Sequence, residues 1–261
     1  MLTCVTRSMN NKLYDMMISL CPAEWKFVKV LNSSAFDYLD YIFTAKFETK
    51  WVLNLDEDCF LIDYRRIYDL IRFMENNDYD YCGVQDGGSI PVRIHNPLVS
   101  NPFFNLFNIE IISKLEKNYY NKKYPVEEIK QKYSDRIRYL HTEYKYDDFE
   151  PFYNEFFWLL EQGLNPYFNN ATEFVQEKYL VIAPLFITIP YFNCPTMIND
   201  HENREIAIHT WHSRYINYPN IKKAIHNCYD YCFKNSNIEK INKNHNIEII
   251  DLKKLKRTTD K

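Results

Sequence analysis

The feature that most constrains this chain is residues 51–61, Trp51-Val52-Leu53-Asn54-Leu55-Asp56-Glu57-Asp58-Cys59-Phe60-Leu61, where an apolar run releases two carboxylates one residue apart and then turns apolar again. A mostly apolar strand of this kind suits the buried middle of a parallel sheet, and open α/β sheets collect their ligands at the carboxyl ends of such strands. The pattern predicts a strand over 51–55 that delivers Asp56 and Asp58 to a ligand-binding edge. Two hard oxygen ligands at such an edge suit Mg²⁺ or Mn²⁺, which keep octahedral oxygen coordination shared between one or two carboxylates and substrate phosphates. Without a cation, two ionised carboxylates there would be costly.

The elements around this strand favour an α/β domain. Leu2 to Thr6 reads as a first strand, Asn10 to Leu20 as a helix, and Lys26 to Leu31 as a second strand with β-branched Val28 and Val30. Ser34 with Asp37 three residues on resembles a capping box for a helix to about Ala45. The β-α-β-α-β order predicts a mostly parallel sheet with right-handed crossovers. Beyond the acidic pair, Ile62, Ile67, Leu70, Ile71 and Met74 recur at helical spacing, and Tyr79 to Val84 reads as a strand closed by Asp86-Gly87-Gly88. Ser89 to Asn108 shows no period and predicts a long ordered loop before a helix over Ile109 to Leu115. Helices are expected over Val126 to Arg138 and over Glu150 to Gly163, the latter with Pro151 in its first turn and Gly163 at its stop. Val181 to Pro190 reads as a late strand, and Thr196 to Asp200 with Arg204 to His209 as a hairpin. The partition expected is one catalytic domain over 1–234, with 1–88 as a nucleotide-binding half and 89–216 as an acceptor half, followed by a basic tail over 235–261.

Composition removes several classes. Only four glycines occur in 261 residues, and Gly83, Gly87, Gly88 and Gly163 form neither a Walker A loop nor a G-x-G-x-x-G fingerprint. The net charge of −3 argues against general binding of nucleic acid, which relies on a basic surface. The lysines from Lys240 onward could lie near an anionic membrane surface or simply solvate the tail. No stretch approaches the ~20 apolar residues that span a bilayer. Met1 to Arg7 lacks the order of a signal peptide, and seven cysteines without a C-x-x-C pair fit a reducing compartment, so a cytoplasmic location is expected.

Taken together, the acidic pair after an apolar strand, Thr6-Arg7 closing a first strand some fifty residues upstream, and His209-Thr210-Trp211-His212-Ser213-Arg214 far downstream resemble the GT-A fold glycosyltransferases, over residues 1 to about 216. The resemblance implies a Rossmann-like nucleotide-diphospho-sugar transferase fold, a mostly parallel sheet flanked by helices with a smaller acceptor-side region. It also implies a metal-dependent transfer of sugar from a nucleoside diphosphate-sugar, UDP-sugar favoured, to a hydroxyl of a glycan, a lipid-linked acceptor or a protein. Carried over by position, Asp58 is the direct metal ligand, Asp56 touches ribose or sugar and supports the ion, and His209 is the third protein ligand of Mn²⁺ or Mg²⁺. Thr6, Arg7, Asn32 and Ser33 would contact base, ribose or phosphate, Asp86 the donor sugar or acceptor, and Arg214 the diphosphate. An inverting reaction needs a carboxylate base within reach of the acceptor hydroxyl. Glu150 is the first choice for it, with Asp147 and Asp148 close alternatives and Glu155 a weaker one. First-turn acids can equally serve the helix dipole.

Overall fold

The computed structural model describes residues 1–120, 122–174, 181–183, 191–193, 195–211, 215–238 and 245–259. In chain order the elements are β1 (Thr3–Arg7), α1 (Asn11–Ile18), β2 (Lys26–Leu31), α2 (Ala35–Thr44), β3 (Trp51–Leu55), β4 (Cys59–Leu61), α3 (Arg65–Asn76), β5 (Tyr81–Gln85), β6 (Ser100–Asn108), α4 (Ile109–Ile112) and α5 (Val126–Tyr133). There follow α6 (Tyr153–Glu161), β7 (Pro166–Phe168), β8 (Ala171–Glu173), β9 (Val181–Ala183), β10 (Tyr191–Asn193), β11 (Thr196–Asn199), β12 (Glu205–His209), α7 (Pro219–Asn235), β13 (Asn246–Asp251) and α8 (Leu252–Thr259).

The main sheet runs β13-β2-β1-β3-β6-β5-β7 and is mostly parallel, with β6 antiparallel to both neighbours. Because side chains alternate along a strand, Cys4, Phe27 and Leu53 face a core built on α1, α3 and α7. Val5, Val28 and Val52 face a second core built on α2, α5 and α6. Helices therefore cover both faces, as a strand apolar on both sides requires. A second, antiparallel sheet, β4-β12-β11-β8, stands at the edge where β3 ends.

Ser34 caps α2 through its Oγ, which accepts the Asp37 N–H at 3.0 Å. The hairpin expected over 196–209 is present as β11 and β12. The helix expected over Val126–Arg138 is α5 followed by a 3₁₀ turn at Ser134–Arg136. Of the strand expected over Val181–Pro190, Val181–Ala183 forms β9, and 184–190 lie outside the described residues.

Three segments differ from expectation. The long loop over Ser89–Asn108 ends in β6, nine wholly buried residues at the middle of the sheet. Its asparagines and Pro102 imitate a turn, yet they are satisfied inside: Asn54 Nδ2 donates to Pro102 O (2.6 Å) and to Asn105 Oδ1 (2.8 Å), and Asn105 Nδ2 donates to Ser100 Oγ (2.6 Å). Pro102 sits where the register with β5 shifts between Gly83 and Val84, so no ladder bond is asked of it. Gly83 permits the close approach, since a Cβ there would lie 1.9 Å from Ser100 Oγ.

Glu150 does not open a helix. It precedes α6 by a turn at Pro151–Phe152, while Gly163, at φ +82°, ends that helix after Gln162. Within 235–261, expected as a basic tail, residues 246–259 form β13 and α8. The apolar run Ile247-Glu248-Ile249-Ile250 pairs in parallel with β2, whose edge would otherwise be open.

Candidate functional site

β3 carries the acidic pair to the carboxyl end of the sheet, and the local bonds fix the turn. The Asp56 N–H donates to Phe103 O on β6 (3.0 Å), and the Cys59 N–H returns to Asp56 O (3.0 Å). β4 then pairs antiparallel with β12 so that Cys59 stands opposite His209. The Thr210 N–H and hydroxyl both donate to Asp58 O, at 3.0 and 3.2 Å. That pairing brings a histidine 151 positions downstream to Asp58, with Nε2 3.3 Å from Oδ1.

Ligand atoms of Asp56, Asp58 and His209 all lie within 4.8 Å of one another. The imidazole is oriented by rings rather than by a second carboxylate: it stacks on Phe103 at 4.2 Å and meets the edge of Trp211 at 4.3 Å. Its Nδ1 is buried without a hydrogen-bond partner among the described residues. Two carboxylates and one imidazole so placed fit a single divalent cation that keeps positions open for phosphate or water. Asp56 is pushed up to about 6, because burial and the neighbouring Asp58 outweigh what Arg7 and His209 return. Electrostatically the cluster calls for added positive charge.

Glu57, the residue between them, is bonded to the turn after β1. Its Oε2 accepts from Ser8 Oγ (2.8 Å), Met9 N–H (3.0 Å) and Asn10 N–H (2.9 Å), while Asn10 caps α1. Burial pushes its carboxyl up and these three donors pull it back. It ties the turn after β1 to the acidic turn after β3, a role that no local pattern signals.

Asp56, Asp58 and His209 line a cleft of ≈ 300 Å³ together with Arg7, Met9, Pro102 and Trp211, and Arg93, Asn101, Glu150 and Phe152 form another part of its wall. Asp86 lies wholly buried beneath that wall. Arg93 holds it with Nε at 2.8 Å and Nη2 at 2.6 Å, and Tyr153 and Asn101 also donate to it. The same Nη2 reaches Glu150 Oε1 at 2.9 Å. Arg93 thus joins a buried acid to a cleft-facing one through a planar fork. No motif pointed to it, because it stands alone in the unpatterned stretch Pro91-Val92-Arg93.

The remaining candidates separate. Arg7, Asn32 and Ser33 line a second, adjoining cavity of ≈ 800 Å³. Thr6 turns inward, with its Oγ1 4.0 Å from Cys4 Sγ, and lines neither space. Asp147 is held by His95 Nδ1 at 3.0 Å, and that imidazole stacks on Phe149. Asp148 is exposed and lines neither cavity. His212 and Arg214 lie outside the described residues. Among the described residues no helix is long and apolar enough to cross a membrane.

No protein-family model matches the chain, and no curated protein matches it. Among solved structures, the mannosyltransferase PcManGT from Pyrobaculum calidifontis, in complex with GDP-Man and Mn²⁺, is similar over 43% of this chain at 8% identity and a TM-score of 0.34. The match spans 46% of that protein's chain, less than half its length. A likeness of that size carries no functional weight.

Proposed function

We propose that this protein is a metal-dependent glycosyltransferase that moves a sugar from a nucleoside diphosphate donor to a hydroxyl acceptor. The observation that carries the reading is the convergence of Asp56, Asp58 and His209 at the end of β3, in a cleft that Glu150 also lines. Asp58 and His209 would hold the ion with Asp56 beside them, and the mixed oxygen and nitrogen set favours Mn²⁺ over Mg²⁺. When bound, the ion would neutralise charge that develops on the leaving diphosphate. Arg7 stands at the junction of the two cavities, where its guanidinium can take a phosphate oxygen.

Glu150 is assigned the proton of the acceptor hydroxyl, and inversion at the anomeric carbon follows from that role. Arg93 engages Oε1 alone, so Oε2 is the oxygen that accepts it. Asp148 is the weaker choice, since it does not line the cleft. UDP-sugars are the first donors to test.

The test is a panel of nucleotide sugars assayed for Mn²⁺-dependent hydrolysis, beside thermal melts with UDP and GDP. Mass action predicts about 2.7 kcal/mol of stabilisation at a hundredfold excess over Kd. If no nucleoside diphosphate raises the melting temperature in Mn²⁺ and no donor is hydrolysed, the assignment fails.

A further inference from the structure

The cavity beside the metal cleft is walled in part by the segment that follows residue 245. β1, β2 and β13 run parallel, so all three end at the same edge of the sheet. Between those ends lies the ≈ 800 Å³ cavity, lined by Arg7 and Met9 from the first strand's exit, Asn32 and Ser33 from the second's, and Leu252 and Lys253 from the third's. Arg7 and Met9 line the metal cleft as well, so the two spaces adjoin. Strand ends in open α/β sheets are where such folds place ligands, and several hundred Å³ is the volume of a small-molecule site.

One side chain fastens the third wall to the second. Asp251, the last residue of β13, accepts from Asn32 Nδ2 through Oδ2 (3.2 Å) and from the Lys253 N–H through Oδ1 (3.1 Å). Asn32 is held at φ +56°, a conformation that asparagine tolerates better than most residues but that still needs support. Leu252 is buried in the core beside Val28, Val30 and Leu39, which anchors the start of α8, while Lys253 stays exposed at the rim. Ser33 lines the cavity, and its Oγ is buried without a hydrogen-bond partner among the described residues.

We propose that the C-terminal β13–α8 segment is a working part of the donor site: it closes the cavity that takes the nucleoside moiety, and Asp251 is the positioning residue that sets Asn32 and Lys253 against it. This rests on the glycosyltransferase reading above. A pyrophosphate bound at the metal cleft would leave its nucleoside directed past Arg7 and Met9 into the larger space. The base and ribose then meet amide, hydroxyl and ammonium groups drawn from three strand ends.

The experiment compares binding of inorganic pyrophosphate with binding of UDP and GDP by calorimetry, all in Mn²⁺, for the wild-type full chain, Asp251→Ala and Lys253→Glu. The difference between nucleotide and pyrophosphate affinity reads the cavity, and pyrophosphate alone reads the cleft. The expected result is that UDP or GDP binds wild type more tightly than pyrophosphate and that Asp251→Ala weakens the nucleotide about fivefold, the scale of one net hydrogen bond. Pyrophosphate affinity should stay unchanged. Lys253→Glu, at an exposed rim position where folding is not at stake, should weaken the nucleotide about threefold. If both variants bind nucleotide as wild type does, or lose nucleotide and pyrophosphate in parallel, the inference is overturned while the metal site stands. If wild type binds neither in Mn²⁺, the glycosyltransferase reading falls and this inference falls with it.

Discussion

Two parts of the cleft wall hold their carboxylates in opposite ways. On the β3 side, Asp56 and Asp58 face a histidine and a nearby arginine, and Asp56 still rises to about 6. On the Arg93 side, Asp86 is sunk completely but receives both arms of the Arg93 fork, which also reaches Glu150. One wall carries its cation within the protein; the other leaves Asp56 short of positive charge. That contrast separates the acids that hold the architecture from the proposed metal ligands.

The largest expected effect tests that division directly. Asp58→Ala should reduce Mn²⁺-dependent turnover by at least about 10²–10³, the scale of losing one preorganised electrostatic group at a developing charge. In the same variant, Mn²⁺ should no longer raise the melting temperature as it does for wild type. Turnover and metal-induced stabilisation that survive the substitution would place the ion elsewhere.

Glu150→Gln comes next, with turnover lower by about 10²-fold while UDP affinity in Mn²⁺ is spared, since a general base contributes at the proton transfer and not at donor binding. Collapse of donor affinity instead would move Glu150 out of the base role. Arg93→Lys keeps the charge and loses the fork. A lysine cannot satisfy Asp86 bidentately and reach Glu150 at once, so turnover should fall about tenfold with a lower melting temperature at every Mn²⁺ concentration. Arg93→Ala leaves Asp86 buried without its partner and should cost about 3–5 kcal/mol. If the Arg93 variants melt as wild type does, the contrast between the walls is wrong.

The β3 wall was legible in the sequence because its signals are local. Apolar runs at 26–31 and 51–55 coincide with β2 and β3, and Asp56 and Asp58 stand where the strand pattern expects them, at the end of β3. The hairpin that carries His209 shows its own alternation, and the resemblance supplied the reason to single that histidine out. The Arg93 wall was not legible in the same way. Arg93 works through Asp86 and Glu150, seven and 57 positions away, a pairing that no period or motif encodes. β6 was hidden because Ser100, Asn101, Pro102, Asn105 and Asn108 have the composition of a loop, and only Asn54 across the sheet and Gly83 beside it make them acceptable in a core. Glu57 carries no local signal, because its three donors come from the turn after β1. The C-terminal strand was masked by the lysines around it.

Glu155 extends the comparison to a carboxylate given neither cation nor arginine. It lies in the first turn of α6 with no exposed surface, and neither oxygen has a hydrogen-bond partner among the described residues. Burial pushes its carboxyl from an ordinary 4.5 up to about 8, and Asp40 and Asp37 add to the rise. It therefore keeps its proton at neutral pH, the third solution to the same problem. The folded protein binds that proton more tightly than the unfolded chain, so the contribution to stability is fully present below about 4.5 and is lost as pH rises toward about 8. A loss of a few kcal/mol over that window corresponds to roughly 2–4 °C per kcal/mol for a domain of this size. Melting curves of wild type and Glu155→Met between pH 5 and 8.5 isolate this group, because every other titrating residue is shared. The methionine variant should match or slightly exceed wild type at pH 5 and melt several degrees higher at pH 8.5. Parallel curves across the range would mean that Glu155 ionises in the folded state at its ordinary pH, and that α6 supplies it with a partner after all.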